Sequence, residues 1–557
     1  MIDISNLSFR YPGAAEDTLR NVNLHIEEGD FVAVVGGNGS GKTTMCKSLN
    51  GLIPHYWSGE FAGSVHVDGI DTFHSSVAEL SSIVGYVYQD FQNQLVRPTI
   101  RDEISFGPIN YGRADFAERT SSIMERLRID HLADRFVWQL SGGQAHLTAL
   151  ASVLALEPRV VVVDEPVAEL DPARAAEVYE RLTELNRTEG LTVITIEHNA
   201  EFIARYASSV VLMADGAPVW HLPVDEAVNR ADELARHGIP APQIVRACHE
   251  LGIREAPRTV EAAATLLARD RIEIPNPPRE PVGAPGGREV ASAKNVSHSY
   301  RSVGGGLTPV LSDLSLSLRE GEKVALVGGN GSGKTTLLRL LAGIIVPREG
   351  TITVEGINTR SRSGPEMTEV VAYLYQHPEQ MFLKPSLAED IELFPKGRNV
   401  EDLEAKVNEV LTRVRLHEFK DRDGRMLSGG QQRRATLAIG LLMAPTLLLL
   451  DEPTSSLDVR SRDDVTDMLA SLADVISCAV VATHDMQLVA EWANRVIVLE
   501  GGAVAADVHP RELFANPELL AKANLVPPQI TSLGLGLGME PLPLSVEEFT
   551  DFYRGNQ

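Results

Sequence analysis

The sequence predicts an α/β fold built twice in tandem, and three observations carry that reading. First, the nonapeptide Gly-Gly-Asn-Gly-Ser-Gly-Lys-Thr-Thr stands at 36–44 and, unchanged, at 328–336. Second, other strings keep step with it: Leu-Ser-Gly-Gly-Gln at 140–144 and 427–431, Asp-Glu-Pro at 164–166 and 451–453, and a histidine at 198 and 484. Offsets of 286 to 292 residues, held over that span, mean tandem duplication. Third, each Asp-Glu-Pro closes a continuous apolar run, at 160–163 or 447–450, as expected for a strand buried on both faces of a parallel sheet.

In chain order, 31–35 and 324–327 are short apolar strands that end at a glycine-rich loop and lead into helix-forming stretches. Leu-Ser-Gly-Gly-Gln opens a longer helical stretch in each half. The first unit is expected over 1–235 with a carboxy-terminal extension over 236–272, and the second over 291–520 with an extension over 521–557. The extensions are paired by Pro242, Gln243 and Ile244 against Pro528, Gln529 and Ile530, and by Thr259, Val260 and Glu261 against Ser545, Val546 and Glu547. Between the halves, at 273–290, a linker is expected: residues 275–287 hold five prolines and three glycines, too many to pack as helix or strand.

Composition narrows the function. The 557 residues are 43% hydrophobic and 23% charged, ordinary values for packed domains, and 51 basic against 76 acidic side chains leave a net charge of −25. So acidic a surface repels phosphate backbones and gives no support for a nucleic-acid partner. Cys46, Cys248 and Cys478 lie far apart, which argues against a disulfide framework and suits a reducing cytosol. The amino terminus lacks a signal-peptide pattern, and the most apolar run, 437–450, is 14 residues broken by Pro445, short of the roughly 20 a spanning helix needs.

The chemistry sits in the repeated strings. Gly36, Gly41, Lys42 and Thr43, with Gly328, Gly333, Lys334 and Thr335, fit a phosphate loop, in which glycines let backbone N–H groups close around phosphate oxygens at a helix start. Lys42 and Lys334 would reach the β- and γ-phosphates, and Thr43 and Thr335 would ligate Mg²⁺. Asp164 and Asp451 end apolar strands and could hold Mg²⁺. Glu165 and Glu452 follow, and strand alternation is expected to turn them toward the nucleotide as general bases. Ser141, Gly142, Gly143 and Gln144, and likewise Ser428, Gly429, Gly430 and Gln431, stand at helix starts. Exposed N–H groups there suit a γ-phosphate, although a plain serine cap would have the same sequence.

In this order the motifs resemble, twice over, the nucleotide-binding domains of the ATP-binding cassette (ABC) superfamily. The resemblance implies an ATPase with two composite ATP sites. One would join Lys42, Gln89, Asp164, Glu165 and His198 to the signature loop at Ser428; the other would join Lys334, Gln376, Asp451, Glu452 and His484 to the loop at Ser141. It further implies that Gln89 and Gln376 assist in holding Mg²⁺, that the histidines contact the γ-phosphate, and that Tyr11 and Tyr300 stack on adenine. Asn38, Gly39, Ser40 and Thr44 complete the first phosphate loop, and Asn330, Gly331, Ser332 and Thr336 the second. The halves also differ. Ala145, His146 and Leu147 stand where the second half has Gln432, Arg433 and Arg434, and the loop of Val167, Ala168, Glu169, Leu170 and Asp171 stands against Thr454, Ser455, Ser456, Leu457 and Asp458. Equal activity of the two sites is therefore left open.

Within the superfamily the chain is similar to the ATPases of energy-coupling factor (ECF) importers of vitamins and transition-metal ions. Three features carry the likeness: Gln89, Asp90, Phe91, Gln92, Asn93 and Gln94, only partly matched by Gln376, His377, Pro378, Glu379 and Gln380; the segment 101–112; and the duplicated Pro-Gln-Ile extension. The resemblance implies a transmembrane coupling subunit, a separate substrate-specific membrane subunit and a peripheral place on the cytoplasmic face of the membrane. Asp102, Glu103, Glu389 and Asp390 could offer carboxylates to arginines of that partner, the alternative being ordinary acids at a helix N-terminus. A ribosome-binding ABC-F factor is the alternative from another class. It would need a basic arm between the cassettes, whereas 251–290 holds six Arg, no Lys and six acids. A fused-cassette sugar-import ATPase is a nearer rival, but such proteins typically carry a degenerate half.

Overall fold

The computed structural model describes residues 1–166, 170, 172–268, 287–301, 306–397, 400–455, 457, 459–472 and 476–554, apart from the side chains of Gln92, Pro172, Ala173, Pro365, Val459 and Arg460. The chain divides into two compact units, Met1–Asp270 and Arg271–Gln557. Most of the expected linker lies outside the described residues, as do Val167, Ala168, Glu169, Asp171, Ser456 and Asp458.

In the first unit a six-stranded sheet runs in the order Ala217–Pro223, Ser209–Ala214, Phe31–Val35, Thr192–Ile196, Val160–Asp164 and Val84–Val87. Its last five strands are parallel. A four-stranded antiparallel sheet, Leu19–Ile26, Ile2–Arg10, Glu60–Val67 and Ile70–Asp71, lies in the same unit. Successive strand side chains point to opposite faces, so one strand serves two cores. Val160 and Val162 pack with Ile2, Val22 and Val65 of the antiparallel sheet and with Met45 and Leu49 of the helix Lys42–Leu49. Val161 and Val163 pack instead with Ile104, Ile123 and Leu150, which come from the helices Ile100–Asn110, Phe116–Arg126 and Gly142–Leu154. This two-sided burial is why the run reads as unbroken valine, each side chain stabilising by roughly 1.5–3 kcal/mol when fully buried.

The second unit repeats the plan, with a sheet ordered Val371–Leu374, Leu447–Asp451, Cys478–Ala482, Lys323–Val327, Arg495–Glu500 and Ala503–Val508. Leu447 and Leu449 face Val290, Leu311 and Ile352, whereas Leu448 and Leu450 face Leu387, Leu411 and Leu437.

The extensions are helical: Gln243–Glu250 with Val260–Ala268, and Gln529–Gly536 with Val546–Arg554. The repeated Pro-Gln-Ile is a helix start in both, with Pro242 or Pro528 at the cap and Ile244 or Ile530 fully buried. The boundary expected at 520 falls inside the helix Pro517–Ala523, whose start is capped by the Asn516 side chain. The boundary expected at 290 falls inside the strand Glu289–Arg301.

Candidate nucleotide sites

Each phosphate loop joins a buried strand to a helix through glycines that no other residue could replace without strain. Gly36 sits at φ 145°, and an added Cβ would lie 2.2 Å from the Met213 carbonyl oxygen; Gly328 sits at φ 146°, with the Leu499 oxygen at 2.3 Å. Gly41 and Gly333, at φ 95° and 104°, cap the helices Lys42–Leu49 and Lys334–Leu341. Asn38, Gly39, Asn330 and Gly331 form the exposed crest of the loops. Lys42 Nζ donates to the carbonyls of Gly36 (2.8 Å) and Gly37 (3.0 Å), and Lys334 Nζ to those of Gly328 (2.7 Å) and Gly329 (3.3 Å), so each ammonium is folded back into its loop. The buried hydroxyls of Ser40 and Ser332 have no hydrogen-bond partner among the described residues. A glycine-rich loop at a helix start, with a buried unpaired hydroxyl and a lysine, fits an anionic phosphate chain.

The carboxylates gather behind the loops. The Thr335 hydroxyl donates to Asp451 Oδ1 at 3.1 Å, and Thr43 stands close enough to Asp164 to favour its charged form, so the two oxygen donors expected for Mg²⁺ are neighbours in each unit. Hard oxygen donors of this kind suit a small divalent cation. The Tyr86 phenol donates to Asp164 (3.1 Å) and the Tyr373 phenol to Asp451 (2.9 Å). Burial raises the carboxyls of both Asp164 and Asp451, and the charge of Glu165 or Glu452 adds to it.

Glu165 and Glu452 are placed differently from the alternation argument. The strands end at Asp164 and Asp451, and the glutamates take left-handed backbone at φ 51° and 48°. Their N–H groups are tied to the carbonyls of Ile196 (3.0 Å) and Ala482 (2.8 Å) on the neighbouring strand. A turn, not strand pleating, therefore aims the side chain. In the first unit Gln89 Nε2 donates to Glu165 Oε2 at 2.6 Å, and His198 Nε2 lies 3.3 Å from Oε1. In the second, His484 Nδ1 lies 3.0 Å from Glu452 Oε2, while Gln376 is half-buried and makes no hydrogen bond to Glu452. Burial opposes the His484 imidazolium, but the Glu452 carboxylate beside it, with Asp485, raises its pKa on balance.

Both signature strings turn out to be serine caps as well. Ser141 and Ser428 each form a reciprocal capping box, the hydroxyl taking the N–H of Gln144 or Gln431 (3.4 Å in each) while that glutamine returns to the serine N–H. Gly143 and Gly430 sit against a neighbouring helix. An added Cβ would meet Arg174 Cδ at 2.8 Å or Ser461 Oγ at 2.5 Å, whereas Gly142 and Gly429 precede them at the helix start. Tyr11 and Tyr300 stand beside the loop helices, with their hydroxyls 3.3 and 3.4 Å from those of Thr44 and Thr336.

A profile described as ABC transporter matches residues 19–168 and 311–455. The chain belongs to the ABC transporter family. Two relatives named as ABC transporter ATP-binding proteins resemble it from end to end. One, from Methanosarcina acetivorans, is 32% identical over 98% of this chain and 90% of its own. The other, from Streptococcus pneumoniae, is 32% identical over 100% and 98%. A solved structure described as cbiO1 from Clostridium perfringens, part of the ABC transporter complex cbiONQ, is 28% identical and covers 42% of this chain and 94% of that one, with a TM-score of 0.38. This chain is thus an ATP-binding, ATP-hydrolysing protein with two fused cassettes.

The expected carboxylates for a partner are corrected in two of four cases. Glu103 is buried, and its Oε2 accepts the N–H groups of Val96 (2.8 Å) and Arg97 (2.6 Å). Asp390 is buried and accepts those of Leu383 (2.7 Å) and Lys384 (2.9 Å). A carboxylate buried and turned back onto its own loop's N–H groups is not presented to an arginine of a partner; only Asp102 and Glu389 are exposed. Sequence reading missed the phenols of Tyr86 and Tyr373, although their shared 287-residue offset marks them as part of the repeat.

Proposed function

We propose that this chain is the energy-coupling ATPase of an ECF-type membrane importer for a vitamin or a transition-metal ion, resting on the cytoplasmic face of the membrane through a transmembrane coupling subunit. A separate membrane subunit would select the substrate. In this reading each phosphate loop holds one ATP with Mg²⁺. Lys42 or Lys334 neutralises the phosphates, Thr43, Asp164 and Gln89 (or Thr335, Asp451 and Gln376) would hold the cation, Glu165 or Glu452 takes the proton of the attacking water, and His198 or His484 steadies the γ-phosphate. Closure of the signature loops over bound ATP, and opening after hydrolysis, would drive the partner.

The observation that carries a helical protein partner is an exposed apolar patch fastened to each glutamine loop. In the first unit Val96, Phe136 and Trp138 are 63%, 41% and 65% exposed, and Val137 N–H donates to the Pro98 carbonyl, so the two segments lie side by side. In the second, Leu383 and Met426 are 67% and 80% exposed. Apolar side chains displayed so fully fit a helix that covers them, as in helix-in-groove recognition. Among the described residues no helix is long and apolar enough to cross a membrane.

The test is purification of the tagged chain from detergent-solubilised membranes, with and without Val96→Asp plus Trp138→Ser. Loss of an accompanying membrane subunit in the variant supports the reading, and co-sedimentation with ribosomes without any membrane partner overturns it. Separately, Glu165→Gln with Glu452→Gln is expected to retain ATP unhydrolysed; hydrolysis at the parent rate would remove both glutamates from the role of base.

A further inference from the structure

The duplicated halves allow each position behind the nucleotide to be compared with its twin, and one difference lies next to the histidine. At the residue before His198 the first unit carries Glu197, and at the residue before His484 the second carries Thr483. Both are buried, at 2% and 0% exposure. Both serve the turn that follows: Glu197 Oε2 accepts the His198 N–H at 3.1 Å, and Thr483 Oγ1 accepts the Asp485 N–H at 2.9 Å. Their backbones are anchored alike, Glu197 N–H to the Val34 carbonyl and Thr483 N–H to that of Leu326. A threonine would therefore meet the structural need, and the first unit instead keeps an ionisable group in its core.

We propose that Glu197 is a positioning residue of the first nucleotide site, its buried carboxyl holding the turn that carries His198. The inference rests on the assignment of Glu165 and His198 to that site. Groups facing Glu197 come from three elements: the phenol of Tyr179 on the helix Pro172–Glu189, which packs on Tyr206; the Glu165 carboxylate after the strand Val160–Asp164; and His198 itself. Burial is the main reason the carboxyl holds its proton, and Glu165 adds to it; together they push Glu197 up to about 8. The N–H groups of His198 and Asn199 and the Tyr179 phenol favour the anion, but burial outweighs them, and the Oε1 side of the carboxyl has no hydrogen-bond partner among the described residues to support a charge. Once ionised it must draw water or a cation into that core, and it sets a second negative charge near the Glu165 carboxylate. The turn that carries His198, 3.3 Å from Glu165, is the part that must give.

The consequence is an alkaline limb owned by one site. With ionisation near pH 8, the neutral fraction falls about tenfold between pH 7 and pH 9. Steady-state ATPase of the full chain then falls about tenfold if every turnover needs both sites, and about twofold if they work independently. The experiment measures ATPase from pH 6.5 to 9.5 for the parent, for Glu197→Gln, which mimics the neutral acid, and for Glu197→Thr, which copies the second unit and serves if the glutamine variant does not fold. The expected result is a pH 7 to pH 9 ratio that flattens in both variants. A second readout is independent of turnover: the parent-minus-variant infrared difference should show a carboxylic-acid C=O band at pH 7 that is lost by pH 9. Superimposable pH profiles for parent and variants, or a parent profile flat to pH 9, would overturn the role of Glu197. Parent-rate hydrolysis in the Glu165→Gln, Glu452→Gln double variant would instead overturn the site assignment beneath it.

Discussion

Acid should loosen the first signature helix and spare the second. His146 lies on Gly142–Leu154, 1% exposed, with its ring against Phe91 at 4.9 Å and its Nδ1 unpaired among the described residues. Burial holds its pKa down to about 4, against 6.5 for a free imidazole. The sign follows from proton counting. Below pH 6.5 the unfolded chain binds a proton that the folded chain refuses, so stability is full above 6.5 and drains away as pH falls toward 4. The whole span is worth about 3 kcal/mol at 1.36 kcal/mol per pH unit, and about 2 kcal/mol has gone by pH 5. If the helix opens locally, that is a roughly thirtyfold rise in opening, readable by amide hydrogen exchange after correction for the intrinsic rate. The helix Gly429–Leu441 is the internal control: Arg433, at the matching position, donates to the Tyr375 carbonyl at 3.1 Å and keeps its charge throughout that range, burial lowering it only to about 10. His146→Leu should abolish the acid sensitivity. Equal protection of Gly142–Leu154 at pH 7.5 and pH 5, or a loss that survives His146→Leu, would refute the reasoning.

Two further substitutions separate the units. Gly430→Ala should cost more stability than Gly143→Ala, about 1–3 kcal/mol against under about 1. The new methyl meets the short Ser461 side chain at 2.5 and 2.8 Å, but in the first unit it meets Arg174 Cδ, which can swing away; paired thermal melts decide it. Arg495→Ala should destabilise the second unit by about 3 kcal/mol, because Arg495 Nη1 lies 2.7 Å from the carboxylate of Glu322, which is 3% exposed and would be left buried with only the Arg319 N–H and no counter-charge. Calorimetry that found the second unit's transition unmoved would contradict that account.

The parallel strands, the phosphate loops and the signature helices were legible because each leaves a local mark: unbroken apolar residues, glycines at fixed spacing, a serine cap. Side-chain direction at the element ends was not. Alternation placed Glu165 by extending a strand that in fact stops at Asp164, and nothing local announces a left-handed glutamate. Glu103 and Asp390 look like ordinary acids in the first turn of a helix. Whether such a carboxylate faces outward or curls back onto the preceding loop depends on where that loop's N–H groups end up, which is settled only by tertiary packing. The boundary drawn at 520 failed for a related reason, since the helix Pro517–Ala523 continues packing against the strand Arg495–Glu500 of the core and no change of composition marks its start.

The two copies agree wherever a group would touch triphosphate and diverge one layer behind it. The loop strings are identical, but Glu197 stands against Thr483 and His146 against Arg433, and out on the surface the stacked Phe136 and Trp138 stand against the paired Asp423 and Arg425. Phosphate geometry leaves no freedom at the first kind of position: a displaced N–H or ammonium loses its contact outright. The supporting positions need only satisfy the same backbone N–H or fill the same volume, and several side chains do that equally well while differing in charge and titration. Divergence of this kind would leave the proposed reaction alone and alter the conditions under which each half could perform it. It follows that swapping supporting residues between the halves should move pH dependence and partner preference between them, whereas swapping phosphate-loop residues would exchange like for like.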